Sequence, residues 1–543
     1  MTSRGRLSGV TSWSLVAFAL YVVTLLPYVA AWRAAGDDVV FLGLLFDVPD
    51  HAQYWAWVRE SHQGLFISNT LTPEPNPATF MNPMMWLLAK VQQAGGLDFP
   101  SLFQLWRAAA TIGVVAATAW VTRVFVSDPA PRRTARWVVL TGAGLGWMLV
   151  VLKVILRLPD APYPTDLYTV EPNTFWALMS YPYLALAQGL VCLTLTSAWM
   201  TSRHPRPWRF IVTATLAFVL AATHAYDLLI VYSVLGLAIG LSTVRERRAP
   251  WPLVVVSIVI GAVSLPIALY YRHLTTATPL WKSILAQYAN AGVWTPSPPH
   301  LILLMGLPLV IAVMTMARRW SGTDDDRFLL AWMIAGALLP YLPVVYQIKL
   351  LTGWQIPLAI LASRGWHESL ARRREAGVAF VGWIPRGAAA TALLVLLVVP
   401  TNLYLFAWRV FDLRRQSTPY FAHRDEMAAL EWLNARTAPD AVVLAREEFG
   451  RLVPAYSGMH TTLAHWAMTN RYFERRAAVT AFFSSGTGEG DRAALQRSLN
   501  VTYVVWSAAP GAIPAAADPG ESDTRVLAFD RRNARIYRVR PSP

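Results

Sequence analysis

Charged residues and cysteine are both scarce in this sequence. Aspartate, glutamate, lysine and arginine make up 15% of its 543 residues, while hydrophobic residues make up 55%. Soluble globular proteins carry about 25% charged residues, so this shortage excludes an ordinary soluble protein and indicates a membrane protein. The only cysteine, Cys192, lies inside an apolar run, which excludes an intrachain disulfide as a source of stability.

A nucleic-acid-binding region and internal repeats are also missing. The net charge is +15, but the arginines stand in short clusters between apolar runs, and no basic domain or aromatic-rich binding motif accompanies them. We therefore expect no nucleic acid as a partner. No period of about 20–50 residues stands out, and the hydropathy shows no inverted symmetry of the kind many transporters have.

Long apolar runs are abundant. Those of membrane-spanning length lie near 12–32, 105–126, 137–157, 178–200, 251–271, 301–317, 327–346 and 387–408, and shorter ones lie near 209–222, 226–243 and 350–363. The shorter runs need a tilted or thinned arrangement, which gives about eleven expected spans. The first run is long for the apolar core of a secretory signal, so we interpret it as an uncleaved helix.

Arginine clusters determine the expected orientation. Alternating the spans places every clustered loop on one side of the membrane: "PRRTAR", "SRHPRPWR", "RERR", "ARRWSGTDDDR" and "SRGWHESLARRR". The positive-inside rule makes that side the cytoplasm. The N-terminus is then cytoplasmic, whereas the loop at 33–104 and everything after about residue 409 face outwards. A high content of alanine and arginine is typical of a GC-rich bacterium, so we expect the bacterial cytoplasmic membrane.

The C-terminal region loses this membrane character. Its segments "RDEMAALEWLNART" and "EGDRAALQRSL" have helical patterns, and "DAVVLAR", "TYVVW" and "ARIYRV" are typical of strands. We therefore predict a mainly α, polytopic membrane helical bundle with about eleven transmembrane helices over 1–408. An extracytoplasmic α/β domain over 409–543 follows it.

The stretch "FDVPDHAQYWAWVRE" places several polar residues shortly after the first apolar run. Asp47 before Pro49 is typical of a helix cap, and an acid at position 50 favours the helix dipole. The same spacing puts four side chains on one helical face, namely Asp47, Asp50, His51 and Tyr54. Apolar surroundings there can raise the pKa of a carboxylate towards that of a working base. Both interpretations stand for Asp50, whereas the cap is favoured for Asp47.

Several cations lie at the expected outer boundary of the membrane. Lys153 and Arg157 stand four residues apart at the end of the third run, where they either snorkel to the interface or hold a phosphate. Lys349 lies in a tight outer turn beside Gln355, a place that solubility alone hardly explains. Arg107 heads the second run, where anchoring is its default role.

Acids and an imidazole lie in the outer loops as well. Glu171 precedes the fourth run, and His224, Tyr226 and Asp227 stand where two short runs meet. A plain turn explains that triplet about as well as a site does. Acids in the loops together with cations at the boundary form the arrangement that a phosphate-bearing lipid needs.

This order of features resembles the GT-C glycosyltransferases, polytopic enzymes that use polyprenyl-phosphate-linked sugars. The shared features are a first helix, a large outer loop with an acid ahead of "xxYxxxxRE", many spans and an outer α/β domain. Asp50 matches the first acid of the class and Tyr54 the tyrosine behind it. His51 stands where a glutamate is common, a departure that leaves the second acid to Asp47. The "WWDYG" motif of oligosaccharyltransferases is absent, which argues against that branch.

The tail segment "GRLVPAYSGMHTTLAHWAMTNRYFERRAAVTAFF" is similar to the outer domain of bacterial membrane glycosyltransferase-like proteins. By that resemblance the outer domain positions the acceptor, which is a lipid, a polysaccharide or a protein. Within it we interpret His460, His465 and Tyr456 as fold residues rather than catalytic ones.

The resemblance also implies an inverting displacement in which Asp50, with Asp47 and His51 as further catalytic candidates, takes the proton of the acceptor hydroxyl. The cations for the departing phosphate are, in order of preference, Lys349, Lys153, Arg157 and Arg107. Further candidates for substrate binding are Tyr54, Glu171, His224, Asp227 and Gln355. A divalent cation, Mg²⁺ or Mn²⁺, bridging Asp50 and Asp47 stays open, and no other cofactor is expected.

Three alternatives remain beside this interpretation. A transporter or lipid flippase would explain the buried cations but neither the large outer domain nor the acids of the first loop. An O-antigen ligase or polymerase would more naturally carry its key arginines and histidine in a late outer loop. A non-catalytic membrane scaffold is the third, since a fold does not establish an activity.

Overall fold

The computed structural model describes residues 3–287, 294–319, 322–377, 387–436, 438, 440–510 and 516–540, with side chains from residue 13 onwards. By its internal contacts the chain divides into two compact units. The first comprises Met1–Leu25, Trp106–Leu269 and Ala289–Trp408, and the second Leu26–Leu105, Tyr270–Tyr288 and Arg409–Pro543. The large loop after the first helix therefore groups with the C-terminal region. The domain boundary after residue 408 stays a prediction.

The first unit is built from α-helices. They are most of Ser3–Ala34, Phe99–Phe125, Trp251–Ala277 and Pro400–Asp412, together with Pro129–Thr141, Gly146–Val150, Thr174–Ser180, Pro182–Arg203, Pro207–Thr223, Leu228–Glu246, Pro298–Arg318, Asp324–Leu338, Gln355–Glu375 and Ala388–Val398. Large buried side chains such as Phe328, Trp332 and Trp354 fill its core. Gly336 lets Trp354 approach, because a Cβ there would meet the indole at 1.9 Å.

Six helices of the described residues are long and apolar enough to cross a membrane, and two bent helix pairs raise the number to eight. The six are Trp13–Ala34, Phe99–Phe125, Pro182–Arg203, Ala225–Glu246, Trp251–Ala277 and Pro298–Arg318. The protein is thus a multi-pass membrane protein. The predicted runs at 209–222, 327–346 and 350–363 lie in shorter or partly charged helices, so the total of eleven spans stays a prediction.

The second unit combines helices with small sheets. Its five-stranded sheet has the order His460–Thr461, Val442–Ala445, Tyr503–Ser507, Ala534–Val539 and Arg525–Arg531. The first three of these strands run parallel, and each of the last two is antiparallel to its neighbour. Two shorter pairs join Val39–Phe41 to Phe421–His423 and Phe66–Ile67 to Phe80–Met81. The helices are Val48–Glu60, Pro83–Gly95, Pro279–Gln287, Arg424–Asn434, Glu447–Gly450, Val453–Ser457, Tyr472–Phe482 and Glu489–Ser498.

The helices and strands predicted for the C-terminal region are confirmed. The amphipathic helix spans Arg424–Asn434, where Glu426 and the backbone of His423 form a capping box, and the second helix spans Glu489–Ser498. The three predicted strands are the central ones of the five-stranded sheet. The mainly α fold with a C-terminal α/β region is therefore confirmed.

Candidate functional site

Asp47 and Asp50 stand at the start of the Val48–Glu60 helix in the second unit. Asp47 occupies the N-cap position with a left-handed backbone (φ 45°, ψ 54°), yet within this fully described helix its carboxylate makes no capping hydrogen bond. Its carbonyl instead accepts from the backbone N–H of His51 at 3.2 Å and pairs with the ring Nδ1 of His51 at 2.9 Å. Since a carbonyl can only accept, Nδ1 of His51 carries the proton.

The aromatic side of the same helix is packed. The His51 ring meets Phe103 edge-on at 5.1 Å, and the Tyr54 ring lies 5.7 Å from Trp57. His51 and Tyr54 are both buried. Within this unit Asp47, Asp50, His51 and Tyr54 therefore lie together, as the helical spacing predicts, with Asp50 in the first turn.

Asp50 forms a close pair with His465. The imidazole Nε2 lies 2.7 Å from Oδ1 of Asp50, and the Asp50 side chain is 23% exposed while that of His465 is 3% exposed. Nδ1 of His465 accepts the backbone N–H of Ala467 at 3.1 Å. An imidazole nitrogen that accepts a hydrogen bond carries no proton, so neutral His465 is protonated at Nε2 and donates to Asp50.

The loop that carries His465 is held by Thr469. The Thr469 hydroxyl accepts from the backbone N–H groups of Ala464 and His465, and it donates to the carbonyl of Leu71 at 2.8 Å. The backbone N–H of Thr469 donates to the carbonyl of His465 at 2.8 Å. These bonds fix the imidazole relative to the first-loop segment that contains Leu71.

Further contacts tie the same two segments together. The ring Nδ1 of His460 lies 2.7 Å from the Thr72 carbonyl, and Arg475 forms an ion pair with Glu74. Such a network of charge-assisted and backbone bonds resists displacement. The loop that carries His465 is therefore anchored by several bonds to the first-loop segment.

The first unit gathers five other predicted residues in one polar cluster. Nζ of Lys349 lies 2.8 Å from Oε1 of Glu171, and both side chains are largely buried. Nδ1 of His224 lies 2.6 Å from Oδ2 of Asp227, while the Tyr226 hydroxyl contacts the other ring nitrogen. The carboxylates of Asp227 and Glu171 lie close enough to repel each other, so the two pairs are neighbours.

Gln355 joins this cluster through amides. Its Nε2 donates to the Thr174 hydroxyl at 2.9 Å and to Oε1 of Gln188 at 3.1 Å. Gln188 in turn donates to the carbonyls of Val170 and Glu171. Gln188 therefore holds the segment around Glu171 directly, and Gln355 holds Gln188.

The remaining predicted cations have other partners. Lys153 donates to the carbonyls of Pro159 and Ala161, both at 2.6 Å, and so closes its own loop. Arg157 is exposed with a left-handed backbone. Arg107 is fully buried and donates to the Thr24 hydroxyl and to a backbone carbonyl, contacts that favour an internal role.

For two titratable residues the structure adds contacts that the sequence does not specify. His465 lies in the tail segment on which the family resemblance partly rests, but nothing in the sequence shows that it meets Asp50. Asp166 is buried and accepts the N–H of Gly146 at 2.7 Å, and burial raises its pKa to about 7. Among the described residues, no three His, Cys, Asp or Glu side chains are grouped to hold a metal.

Comparison with known proteins identifies a fold. No protein-family model and no curated protein matches the sequence. The apo oligosaccharyltransferase of Archaeoglobus fulgidus matches over 91% of this chain and 69% of its own, with 13% identity and a TM-score of 0.56. AglB of the same organism, in complex with an inhibitory peptide and a dolichol-phosphate, matches over 90% and 69%, with 13% identity and a TM-score of 0.51.

A bacterial structure matches over nearly the whole of both chains. ArnT from Cupriavidus metallidurans in the apo state covers 97% of this chain and 98% of its own, with 12% identity and a TM-score of 0.50. These neighbours are GT-C glycosyltransferases. At such low identity the likeness shows the fold alone, so it does not select among the branches of the class.

Proposed function

We propose that this chain, which has the fold of the GT-C glycosyltransferases, transfers a sugar from a polyprenyl-phosphate donor to an acceptor hydroxyl, with Asp50 as general base. The observation that carries the proposal is the Asp50–His465 pair. It gives the acid that matches the family motif a partly exposed carboxylate with one oxygen held at 2.7 Å. A dolichol-phosphate, which is a polyprenyl phosphate, is bound in one structure of the same fold.

The proposed reaction is a single displacement with inversion. The acceptor oxygen bonds to the anomeric carbon as the bond from that carbon to the phosphate oxygen breaks. The proton of the acceptor hydroxyl passes to Asp50, and the electron pair of the broken bond leaves with the polyprenyl phosphate. His465 donates to Oδ1 of Asp50 and so holds the carboxylate in one orientation. Asp47 and His51 support this helix start.

The departing phosphate gains negative charge, which a positioned cation stabilises. Lys349 is the first candidate, because Glu171 holds its ammonium group in a largely buried place. His224, Asp227 and Gln355 complete the polar surroundings of that pair, and Tyr54 is a further substrate-binding candidate. Lys153, Arg157 and Arg107 follow as cations. A divalent metal on Asp50 and Asp47 stays a proposal through which we route no step.

A double substitution separates phosphate binding by Lys349 from a purely structural role. Lys349→Gln alone leaves the Glu171 carboxylate buried without its cation, which destabilises the fold whatever the function. Lys349→Gln combined with Glu171→Gln removes both charges. We expect this variant to fold and to lose about tenfold or more in kcat/KM for the donor, because a hydrogen bond to a charged group is lost.

The matched control is Lys282→Gln, which removes a lysine from an exposed position. It should transfer sugar like the wild type. If the double variant also keeps the kcat/KM of the wild type, Lys349 serves only its pair with Glu171, and the phosphate cation must be sought elsewhere.

We place the reaction on the outer face of a bacterial cytoplasmic membrane, with the N-terminus inside. Cys192 is the only cysteine and is buried, so a Cys192→Ser background leaves the chain free for single labels. In intact cells a membrane-impermeant maleimide should label Glu474→Cys but not Arg373→Cys, both exposed positions. The opposite pattern would reverse the orientation and remove the outer-face donor from the proposal.

The function itself is tested by sugar transfer in membranes that contain the chain, using a panel of radiolabelled polyprenyl-phosphate sugars. Transfer to lipid, polysaccharide or protein by the wild type establishes the class and the acceptor. A flippase is the second candidate, because interrupted membrane helices are also a feature of transporters. It would move the same labelled lipids across the membrane with no transfer of sugar.

A further inference from the structure

Three candidate membrane helices of the first unit are interrupted. Pro129–Thr141 and Gly146–Ile155 meet at 44°, Ala388–Val398 and Pro400–Arg415 meet at 56°, and Pro298–Arg318 contains the non-helical Gly306 (φ 61°, ψ −150°). Irregular backbone at membrane depth is tolerated where protein buries it or where it lines a polar cavity. The groups around these interruptions therefore show whether protein buries them or a polar cavity adjoins them.

The three interruptions lie against one another. The N–H of Ala143 donates to the carbonyl of Val398 at 2.8 Å, and the N–H of Leu145 donates to that of Leu303 at 2.9 Å. The Gly306 backbone approaches so closely that a Cβ would lie 3.0 Å from the Cα of Gly144. One junction thus contains the ends of several helix segments.

Helix ends of both kinds meet there, since Gly146–Val150 and Pro400–Asp412 begin where Pro129–Thr141 and Ala388–Val398 finish. At the C-terminal ends the Val398 carbonyl accepts the N–H of Ala143 and the Thr141 carbonyl accepts from the Asn402 amide. A carbonyl oxygen has two lone pairs, so each can still face an ion. Unwound carbonyls and helix C-termini are the groups that bind Na⁺ inside membrane bundles.

Asp166 adds a carboxyl group at the same place. Its side chain is buried, Oδ2 accepts the N–H of Gly146, and burial raises its pKa to about 7. A cavity of about 20 Å³ adjoins it, and none of the described residues lining that cavity is lysine, arginine or histidine. The space suffices for one water-sized particle, since about 10–15 Å³ is the minimum.

The cavity is also lined by Gln355, whose side-chain oxygen has no hydrogen-bond partner among the described residues. Gln188 donates its NH₂ to the carbonyls of Val170 and Glu171, so its Oε1 must be the atom that faces Gln355. An acceptor there requires the NH₂ of Gln355, which fixes the orientation of that amide. Oε1 of Gln355 is then left buried with no hydrogen-bond partner among the described residues, and Gln355 lines the cavity.

We propose that this cavity is a binding site for one monovalent cation, Na⁺ by its size, with Asp166 and Gln355 as side-chain ligands. A monovalent ion neutralises the single carboxylate, whereas a divalent ion would leave a buried net charge, which is costly. A bound ion also holds the three interruptions together. The proposal is independent of sugar transfer.

The test compares thermal unfolding of the purified full chain in NaCl and in choline chloride at equal ionic strength. We expect Na⁺ to raise the Tm by about 2 °C or more, since a ligand of the folded state stabilises it. Calorimetric titration with NaCl should give one site per chain. Asp166→Asn and Gln355→Met should each abolish the Na⁺-dependent rise.

Asp160→Asn is the matched control, because Asp160 is an exposed acid of the same outer segment. It should keep the full rise in Tm. A wild type that is indifferent to Na⁺, or a rise that persists in Asp166→Asn, overturns the proposal, and a water molecule then fills the cavity. If Asp166→Asn fails to fold, Gln355→Met decides in the same way.

Discussion

Asp50→Asn is expected to lower sugar transfer by about a hundredfold or more, the scale on which general bases contribute. The asparagine keeps the shape of the side chain, and its carbonyl oxygen can still accept from Nε2 of His465. It cannot take the proton of the acceptor hydroxyl. The loss should therefore fall on kcat, with KM for the polyprenyl-phosphate donor little changed, because binding of the donor does not need the base.

The comparison requires a variant that changes charge equally in the same region. Asp38→Asn serves, because Asp38 is an exposed acid shortly before the same helix. It should transfer sugar at the rate of the wild type. An Asp50→Asn protein that unfolds at the wild-type Tm and still transfers sugar normally would remove Asp50 from the mechanism and leave Glu171 as the next acid to test.

The fold could be predicted further than the site. Hydropathy and alternation depend on neighbouring residues, so the apolar runs, the helix Arg424–Asn434 and the central strands could all be inferred. The strand Arg525–Arg531 escaped because its apolar residues form one short unbroken run that is mostly exposed, without alternation of apolar and polar positions. The helix interruptions escaped because hydropathy alone does not register a break: the run around Gly306 is apolar on both sides, and the run around Val399 resumes after two polar residues.

Of the candidate site, the sequence predicts the residues of one helix but not their distant partner. The helix start at Asp50 follows from a local pattern, and the spacing of its four polar residues could be worked out from helix geometry. His465 lies 415 positions from Asp50 along the chain. No local pattern specifies which two distant segments meet, since their contact depends on the sheet order and on the network around Thr469.

The contact between His465 and Asp50 leads to the second large expected effect. His465→Gln and His465→Asn both place an amide N–H on the side chain, but only the longer glutamine reaches the position of Nε2. We expect His465→Gln to retain most of the transfer rate and His465→Asn to lose up to about a hundredfold in kcat, because a base displaced by 1 Å can cost that much. His465→Leu should behave like His465→Asn.

The structure offers a control that separates positioning of the base from support of the loop. His465 also accepts the N–H of Ala467, so its removal loosens the loop as well. Thr469→Val removes the hydroxyl that holds the loop but leaves the imidazole intact. If loop order alone matters, Thr469→Val should be as inactive as His465→Asn, and His465→Gln should give no rescue. If the hydrogen bond to Oδ1 matters, the glutamine variant stays active, and combining Asp50→Asn with His465→Asn lowers kcat no further than Asp50→Asn alone, because His465 acts only through that carboxylate.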